Sequence, residues 1–341
     1  MKIYRFQKLS RYKLCICIGE AFMFARVLKA ANHTYPLNAY NSVWLRLRFI
    51  KHAMVHHNVL RSFISNIESL HYSSLFDHKI PVLGAVEWPY IHKDWPVEKR
   101  FAVIQQHYEI IKDLPEILNV ADGHPKVLVN LHGYSANTTI VLDKAQWFVR
   151  EGEIVLNLFK EQFRVMSIAF TLARENDELL MYVGAIQGLH ADEHSLEKFK
   201  ALTKDLEGVR PRDFLVEVLR MIAQSIAVSK ILGISDSFRH HRHPYFADYH
   251  VNTLKTNYDD IWLEQCGVTY SNDFYMIPLN KPRKNLAEVS SNKRAMYRRR
   301  YELFDDIHQK IGLVIGKNEK KYEVALEPKA EVMESNVLEA A

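Results

Sequence analysis

Apolar residues change their spacing along this chain, and the changes divide it into three stretches. In the first hundred residues they recur at helical spacing, as in the face that runs from Tyr40 to Met54. From Lys126 they form short runs separated by turns, as strands do. After Ile186 helical spacing returns and alternates with two further short runs. The pattern predicts helices, then a sheet, then both.

Five consecutive apolar runs predict a meander of strands. They are residues 127–131, 138–142, 154–158, 165–172 and 179–186. The connections between them are short, and the polar segment 174–178 is typical of a hairpin turn. Successive strands joined by short turns favour antiparallel pairing.

Residues 211–226 predict a central helix that follows the meander. Pro211 suits the first helical position, where its missing N–H costs nothing. Leu215 and Leu219 belong to an apolar stripe, whereas Arg220 is predicted to lie on the opposite, solvent-facing side. The runs at 179–186 and 230–235 flank this helix, and a strand–helix–strand connection is nearly always right-handed and parallel.

Together these elements predict an α+β fold with a helical N-terminal part. The sheet is expected to be mixed but mostly antiparallel, with one strand–helix–strand unit. The predicted divisions are a basic helical region at 1–125, an α+β domain ending in a helix at 126–311, and a disordered acidic tail at 317–341.

Positive charge is concentrated near the N-terminus. Up to Arg61 the chain has eleven Lys or Arg against one acid, Glu20, although its formal net charge is only +5. The basic amphipathic helix over residues 40–54 is predicted to pack its apolar face on the domain. The alternative is that this helix lies on an anionic membrane.

The cysteines and the apolar segments bear on location. Three cysteines cannot form a disulfide framework, so a reducing compartment, the cytosol, is the simplest interpretation. Charged residues interrupt the most apolar stretch, 14–31, which therefore predicts neither a membrane-spanning helix nor a secretory signal. We expect a cytoplasmic protein, with peripheral contact to the anionic inner membrane as the corresponding partner hypothesis.

Several common functional motifs are missing from the sequence. It has no Walker loop, no dinucleotide fingerprint and no Gly-x-Ser-x-Gly elbow, which argues against NTPases, dehydrogenases and serine hydrolases. The basic helix at 293–301 interleaves arginines with tyrosines, but no recognition module accompanies it, which argues against nucleic-acid binding.

Two histidine-rich segments were considered as metal sites. His190 and His194 do not have the spacing of the helical zinc-protease motif. His240, His241 and His243 have no cysteine or carboxylate partner at a metal-binding spacing. The sequence alone therefore predicts no metal site.

The start of the central helix is the predicted anion-binding position. Free N–H groups and the positive end of the helix dipole attract anions there, and Arg210 and Arg212 stand beside it. The alternative is that Gly208 ends one helix, Pro211 begins the next, and the arginines face water.

A series of short motifs resembles the VirK/YbjX family of Gram-negative bacteria, in the order seen there. The motifs occupy residues 150–156, 184–188, 202–206, 208–212, 234–235, 258–262 and 293–301. The resemblance covers about residues 19–311 and excludes the histidine-rich loop at His240 and the acidic tail. Family members are linked to virulence and to antimicrobial-peptide resistance, so the resemblance implies a role in envelope defence and names no reaction.

The order of predicted elements is also similar to the acetyltransferase-type acyl-CoA fold. That likeness implies a donor site for acyl-CoA or aminoacyl-tRNA, lined by Gln187, Gly188, Gly208, Arg210, Arg212 and Ser235. Glu153 and Asp236, at predicted strand ends, are the candidate general bases. A departure from that fold is the inserted segment at 187–207, between the strand and the helix.

Two functions stay open on the sequence. One is transfer of an acyl or aminoacyl group onto an envelope precursor. The other is a non-catalytic, membrane-apposed binding or chaperone-like factor that docks through the basic helices. A degenerate, filled cleft would favour the second. The cofactor, the substrate and the oligomeric state do not follow from the sequence.

Overall fold

One eight-stranded sheet organises the fold. The structure, a computed structural model, describes residues 21–38, 41–78, 82–188, 193–246 and 256–316. The strands are Lys126–Asn130 (β1), Thr138–Asp143 (β2), Ile154–Lys160 (β3), Phe163–Glu175 (β4), Glu178–Gly188 (β5), Lys230–Ile234 (β6), Val268–Thr269 (β7) and Phe274–Ile277 (β8).

The strand order confirms the predicted α+β class. It is β1-β2-β3-β4-β5-β6-β8-β7, and every neighbouring pair is antiparallel except β5 and β6. The described helices are residues 21–34 (α1), Ser42–Val55 (α2), His57–Ser69 (α3), Val97–Ile111 (α4), Glu193–Asp205 (α5), Pro211–Ser225 (α6), Tyr258–Glu264 (α7) and Ser291–Gly316 (α8).

The hairpin between β4 and β5 lies at the predicted turn. Glu175 pairs with Glu178, and Asn176 and Asp177 between them have positive φ angles of 49° and 65°. Asn and Asp tolerate this left-handed conformation, and two such residues give a turn whose twist matches that of the strands.

The parallel pair β5–β6 ends before β5 does. Pairing runs from Leu180 opposite Lys230 to Val183 opposite Gly233, whereas β5 continues to Gly188. The register of β5 against β4 also shifts around Gly184, where an added Cβ would overlap the carbonyl oxygen of Glu151. Beyond Val183, therefore, β5 has an edge that β6 does not pair.

Helix α6 has the predicted bounds and core residues, but its polar side is also buried. Leu215 and Leu219 are buried as expected. Arg220 is only 1% exposed, so the expectation that it faces solvent is wrong. Its guanidinium donates to the carbonyls of Pro278 at 2.8 Å and Gln265 at 2.7 Å. The reason is that the segments following α7 and β8, which contain Gln265 and Pro278, cover the polar side of α6, while its other sides pack on β3, β4, β5 and α8.

Helix α2 is oriented opposite to the expectation. Its buried residues are Ser42, Phe49 and Ala53. Most of the apolar stripe predicted to pack on the domain is exposed to solvent instead. The exposed apolar residues of α2 are Val43, Trp44, Leu47, Met54 and Val55. No helix in the described ranges is both long and apolar enough to cross a membrane.

The N-terminal helices share one hydrophobic core with the sheet. Buried side chains from α3 and α4, such as Phe63 and Phe101, join those of β4, such as Phe170, and α4 packs directly on β4. The proposed division at residue 125 stays a prediction. The predicted acidic tail at 317–341 and the histidine at position 190 lie outside the described residues.

Candidate functional site

The gap beyond the end of the β5–β6 pairing is occupied by Tyr258, the first residue of α7. Its hydroxyl accepts the N–H of Ile186 at 3.0 Å and donates to the carbonyl of Ile186 at 3.1 Å. Tyr258 is 1% exposed. One turn later, Trp262 donates its indole N–H to Ile234 at 2.8 Å. Side chains of α7 thus take the place of a strand partner.

Four polar side chains meet beside this gap. Glu151 precedes β3, Gln187 lies near the end of β5, and His240 and His241 form a short turn after β6. The Gln187 amide donates to Glu151 Oε1 at 3.2 Å, and the Nδ1 atoms of His240 and His241 each lie 3.8 Å from the same oxygen. We term these four residues the mouth cluster.

Backbone hydrogen bonds hold the two turns that supply the mouth cluster. The N–H of Glu151 donates to Phe148 at 2.8 Å, and its carbonyl packs against Gly184, where a larger residue would not fit. The N–H of His240 donates to Ile91 at 3.1 Å. Backbone hydrogen bonds and close packing therefore position the Glu151 and His240 turns of the mouth cluster.

Burial shifts the protonation of the mouth cluster towards its neutral forms. It raises the pKa of Glu151 to about 8, although Arg239 and Arg150 oppose this shift. Burial also lowers the pKa of His240 well below its usual value, and His241 and the same two arginines add to the effect. A largely neutral carboxyl beside a neutral imidazole can exchange a proton, or bind a cation once the carboxyl has released its proton.

Two of the sequence-predicted residues lie close to the mouth cluster. Gln187 belongs to it. Asp236 is 3.3 Å from Arg239, whose guanidinium stacks 3.6 Å from the centre of the Tyr258 ring, and Asp236 also accepts the N–H of Tyr258 at 3.3 Å. Ser235, directly before it, donates its N–H to Asp273 at 2.9 Å.

Glu153 lies in a separate buried cluster. It accepts hydrogen bonds from Tyr90 at 3.0 Å and from Tyr108, and it forms an ion pair with Lys144. Burial opposes the ionisation of Glu153, but Lys144, His107 and these hydrogen bonds outweigh it and lower its pKa. An ionised carboxylate sealed beside a lysine is typical of a structural pair. Its role as a general base stays a prediction.

The predicted anion-binding residues form an ion-pair group between α6 and α7. Arg210 lies 2.6 Å from Asp213 and 2.9 Å from Glu264, and Arg212 also pairs with Glu264. Gly208 follows α5 with a φ of 74°, and its N–H donates to Thr203 at 2.8 Å. This arrangement matches the alternative in which Gly208 ends a helix, although the arginines are paired rather than only solvated.

Gly188, the remaining predicted residue, is at the end of β5. A side chain there would meet Met166 at 3.0 Å and Phe199 of α5 at 3.6 Å. The position therefore lies beneath α5, and its predicted contact with a donor stays a prediction.

Sequence reasoning missed Glu151, His240, His241 and Tyr258 as a group. The sequence shows no carboxylate near these histidines, but the fold brings Glu151 to them from a distant turn. In the described part of the chain, Glu151, His240 and His241 offer ligand atoms within 4.8 Å of one another. The Arg150–Glu153 motif was the only local signal.

Comparisons with known proteins agree with the motif series. A family model described as "Protein of unknown function (DUF535)" matches residues 39–312. The uncharacterized protein YbjX of Escherichia coli K12 is 26% identical over 229 residues, which are 65% of this chain and 68% of YbjX. No solved structure matches the chain.

Two uncharacterized proteins of Haemophilus influenzae are also similar. They are 32% and 34% identical over 161 and 168 residues, which are 46% and 48% of this chain. The matched part spans about half of each relative, 51% and 54%. Because the family model covers most of the sequence, the chain belongs to the DUF535 family, which is the VirK/YbjX family that its motifs resemble.

Proposed function

We propose that this protein is a binding factor that docks on an anionic membrane surface through α2. The observation that carries the proposal is the outward apolar face of this helix. Its members are Val43, Trp44, Leu47, Met54 and Val55, each between 54 and 70% exposed. A contiguous apolar face of this kind on a folded protein marks an interaction site.

The charge around the face favours an anionic lipid surface as the occupant. Lys51 is exposed within the same stripe, whereas Arg48, 5.0 Å from the Trp44 ring, is already ion-paired with Glu87. Residues 1–61 carry eleven basic side chains and one acid. Each basic residue near an anionic bilayer contributes about 1 kcal/mol, and an interfacial tryptophan adds apolar burial.

The filled gap beside β5 also supports a binding role over catalysis. Gln187 of β5 is predicted to line the donor cleft, and the Tyr258 hydroxyl occupies the unpaired edge of β5 at the preceding residue, Ile186. The VirK/YbjX resemblance supplies the context of this binding role, the inner surface of the bacterial envelope.

Vesicle sedimentation tests the proposal. The wild-type protein should sediment with phosphatidylglycerol-containing vesicles at low salt, and much less at high salt or with neutral phosphatidylcholine vesicles. The double variant Trp44→Ser, Leu47→Ser should lower the partition coefficient at least about tenfold, because two apolar anchors are lost.

The matched control is Leu313→Ser, which removes an apolar side chain of similar exposure from α8. It should sediment like the wild-type protein, and circular dichroism should show that all variants are folded. Equal sedimentation with neutral and anionic vesicles, or no sedimentation at all, would sink the proposal and leave a protein partner as the occupant of the face.

Transfer of an acyl or aminoacyl group is the second candidate, and the sheet topology favours it. A meander leads into a strand, a helix and a parallel strand, an order similar to that of the acetyltransferase-type fold, and the two parallel strands separate beyond Val183. Glu151, with its raised pKa, lies beside the separation. A thermal-shift screen against acyl-CoAs and aminoacyl-tRNA tests this candidate, since a bound donor raises the melting temperature. The absence of any shift at saturating donor would dismiss it.

A further inference from the structure

We propose that Glu151, His240 and His241 bind a divalent transition-metal ion such as Zn²⁺. The proposal is independent of membrane docking, because these residues are in the mouth cluster and not on α2. Two imidazoles and one carboxylate are a common set of protein ligands for such ions, and they leave a fourth position for water or another ligand.

The donor atoms already converge. Both histidine Nδ1 atoms lie 3.8 Å from Glu151 Oε1, which is too long for a hydrogen bond. With bonds of about 2.0–2.1 Å to a tetrahedral ion, neighbouring donors are about 3.4 Å apart. A shift of roughly half an ångström between Glu151 and each histidine brings those two pairs to this spacing, and all three ligand atoms already lie within 4.8 Å of one another.

The two imidazoles are arranged to act together. Their ring centres are 3.7 Å apart, and Phe246 packs edge-on against His240 and stacks on His241. His240 is buried, whereas His241 lies at the rim and is partly exposed. The rim position gives an ion a route from solvent and leaves its open coordination position facing outward.

An unsatisfied atom provides the second observation. The Nδ1 of His240 is buried and has no hydrogen-bond partner among the described residues. Buried polar atoms in folded proteins are nearly always paired, so an orphan of this kind calls for an occupant. A metal–nitrogen bond would satisfy it, because the carboxylate it faces stands too far away.

Two arginines near the cluster oppose a cation, and their contacts limit that effect. Arg239 is paired with Asp236 and stacks on Tyr258. Arg150 lies over aromatic rings, 5.0 Å from the centre of Trp88 and 5.1 Å from that of Phe246. The donor set holds only one carboxylate, which disfavours hard ions such as Mg²⁺ and Ca²⁺ because they need several oxygen ligands. Imidazole nitrogen favours Zn²⁺, Co²⁺, Ni²⁺ or Cu²⁺.

The test is metal titration of the full-length protein after treatment with EDTA. Co²⁺ gives an absorption spectrum that reports its ligands, and competition with Zn²⁺ gives the affinity. His240→Ala and Glu151→Gln should each weaken binding by roughly 100-fold or more, since even the loss of an outer-shell partner costs 10- to 100-fold. Glutamine keeps the size of the carboxyl, so the second variant should also fold.

His243→Ala is the matched control. His243 is in the same loop, but its Nδ1 accepts the N–H of Tyr245 at 2.9 Å and it is not part of the donor group. This variant should bind Co²⁺ within about threefold of the wild-type protein. The chain has 17 histidines, and equal loss in all three variants would assign the binding elsewhere and overturn the proposal.

The wild-type spectrum gives a result that needs no variant. A four-coordinate site absorbs strongly in the visible range, whereas Co²⁺ held loosely in an octahedral shell of water absorbs weakly. A weak, water-like spectrum at saturating protein would reject the site even if every variant failed to fold.

Discussion

The hydroxyl of Tyr258 is hydrogen-bonded to both backbone groups of Ile186, at 3.0 Å to the nitrogen and 3.1 Å to the oxygen. A single side-chain atom thereby serves as donor and acceptor for a strand residue whose neighbouring strand has already turned away. The parallel pair can therefore separate without leaving buried backbone groups unpaired. The same contact closes the region that a donor would enter in the acyl-transfer hypothesis.

Removal of this hydroxyl should destabilise the fold. Tyr258→Phe leaves the N–H and carbonyl of Ile186 buried and unpaired, so the free energy of unfolding should fall by about 1–3 kcal/mol in urea. Tyr270→Phe, at a half-exposed tyrosine that follows β7, should change it by less than about 0.5 kcal/mol. Equal stability of Tyr258→Phe and the wild-type protein would mean that water replaces the hydroxyl.

Arg220 should matter to stability as much as the apolar stripe of α6. Arg220→Ala leaves the carbonyls of Pro278 and Gln265 without their donor and Glu217 without its ion-pair partner. Loss of one member of a buried pair costs about 3–5 kcal/mol, and Leu219→Ala should cost about 2–5 kcal/mol. Chemical denaturation of both variants and of Arg298→Ala, an exposed arginine on α8, measures this. A loss as small as that of Arg298→Ala would contradict the buried placement.

His107 should make the protein less stable in acid. Burial lowers its pKa to about 3, while Glu153 opposes this shift and Lys144 adds to it; its Nδ1 accepts the N–H of Leu172 at 3.1 Å. In the unfolded chain the pKa is near 6.5, so below that pH the unfolded state takes up a proton that the folded state does not. Stability then falls by about 1.4 kcal/mol per pH unit as the pH decreases from about 6.5.

The variant His107→Gln tests this pH dependence, because glutamine can accept the same N–H but does not titrate. Urea unfolding at pH 7, 6 and 5 should show a steeper loss of stability for the wild-type protein than for the variant. His124→Gln, at a strongly exposed histidine, should retain the wild-type slope. Parallel slopes for the wild-type protein and His107→Gln would show that His107 is protonated in the folded state.

Substitution of Arg210 tests whether the start of α6 binds donor phosphates. It is 58% exposed and already paired with Asp213 and Glu264. We therefore expect Arg210→Ala to leave the affinity for acyl-CoA unchanged and to lower the free energy of unfolding by less than about 1 kcal/mol. Isothermal titration beside a thermal melt checks both values. A 10- to 100-fold loss of affinity, partly restored by Arg210→Lys, would instead place donor phosphates at this helix start.

The sequence predicted the elements well where local pattern determines them. The strands, the Asn176–Asp177 turn and α6 follow from apolar spacing and turn chemistry, which act over a few residues. The orientation of two helices did not follow. Arg220 is buried because the segments after α7 and β8 cover the polar side of α6, and Phe49 rather than Leu47 faces the core in α2. An apolar stripe on a helix does not by itself determine which element of the fold packs against it.

The candidate site was harder to predict for the same physical reason. Gln187 was predicted from the likeness to the acyl-CoA fold, and Asp236, like Glu153, from a predicted strand end. Glu151 and His240 come from turns far apart in the chain, and only the pairing of β3 through β6 brings them together. Spacing rules for metal ligands apply within a local motif, so they did not indicate a metal site at His240.

The strand order also predicts the order in which the strands form during folding. Strands β1 to β5 pair with their neighbours along the chain, so each step closes only a short loop. The β5–β6 pair must instead wait for closure of the long crossover that contains α5 and α6, which costs more chain entropy. In pulse-labelling hydrogen exchange during refolding, amides of β4 and β5 should become protected before those of β6 and β8. The reverse order would contradict this prediction. Glu151, which precedes β3, is then positioned early in folding. The imidazoles of His240 and His241, which follow β6, come close to it only in the final stage.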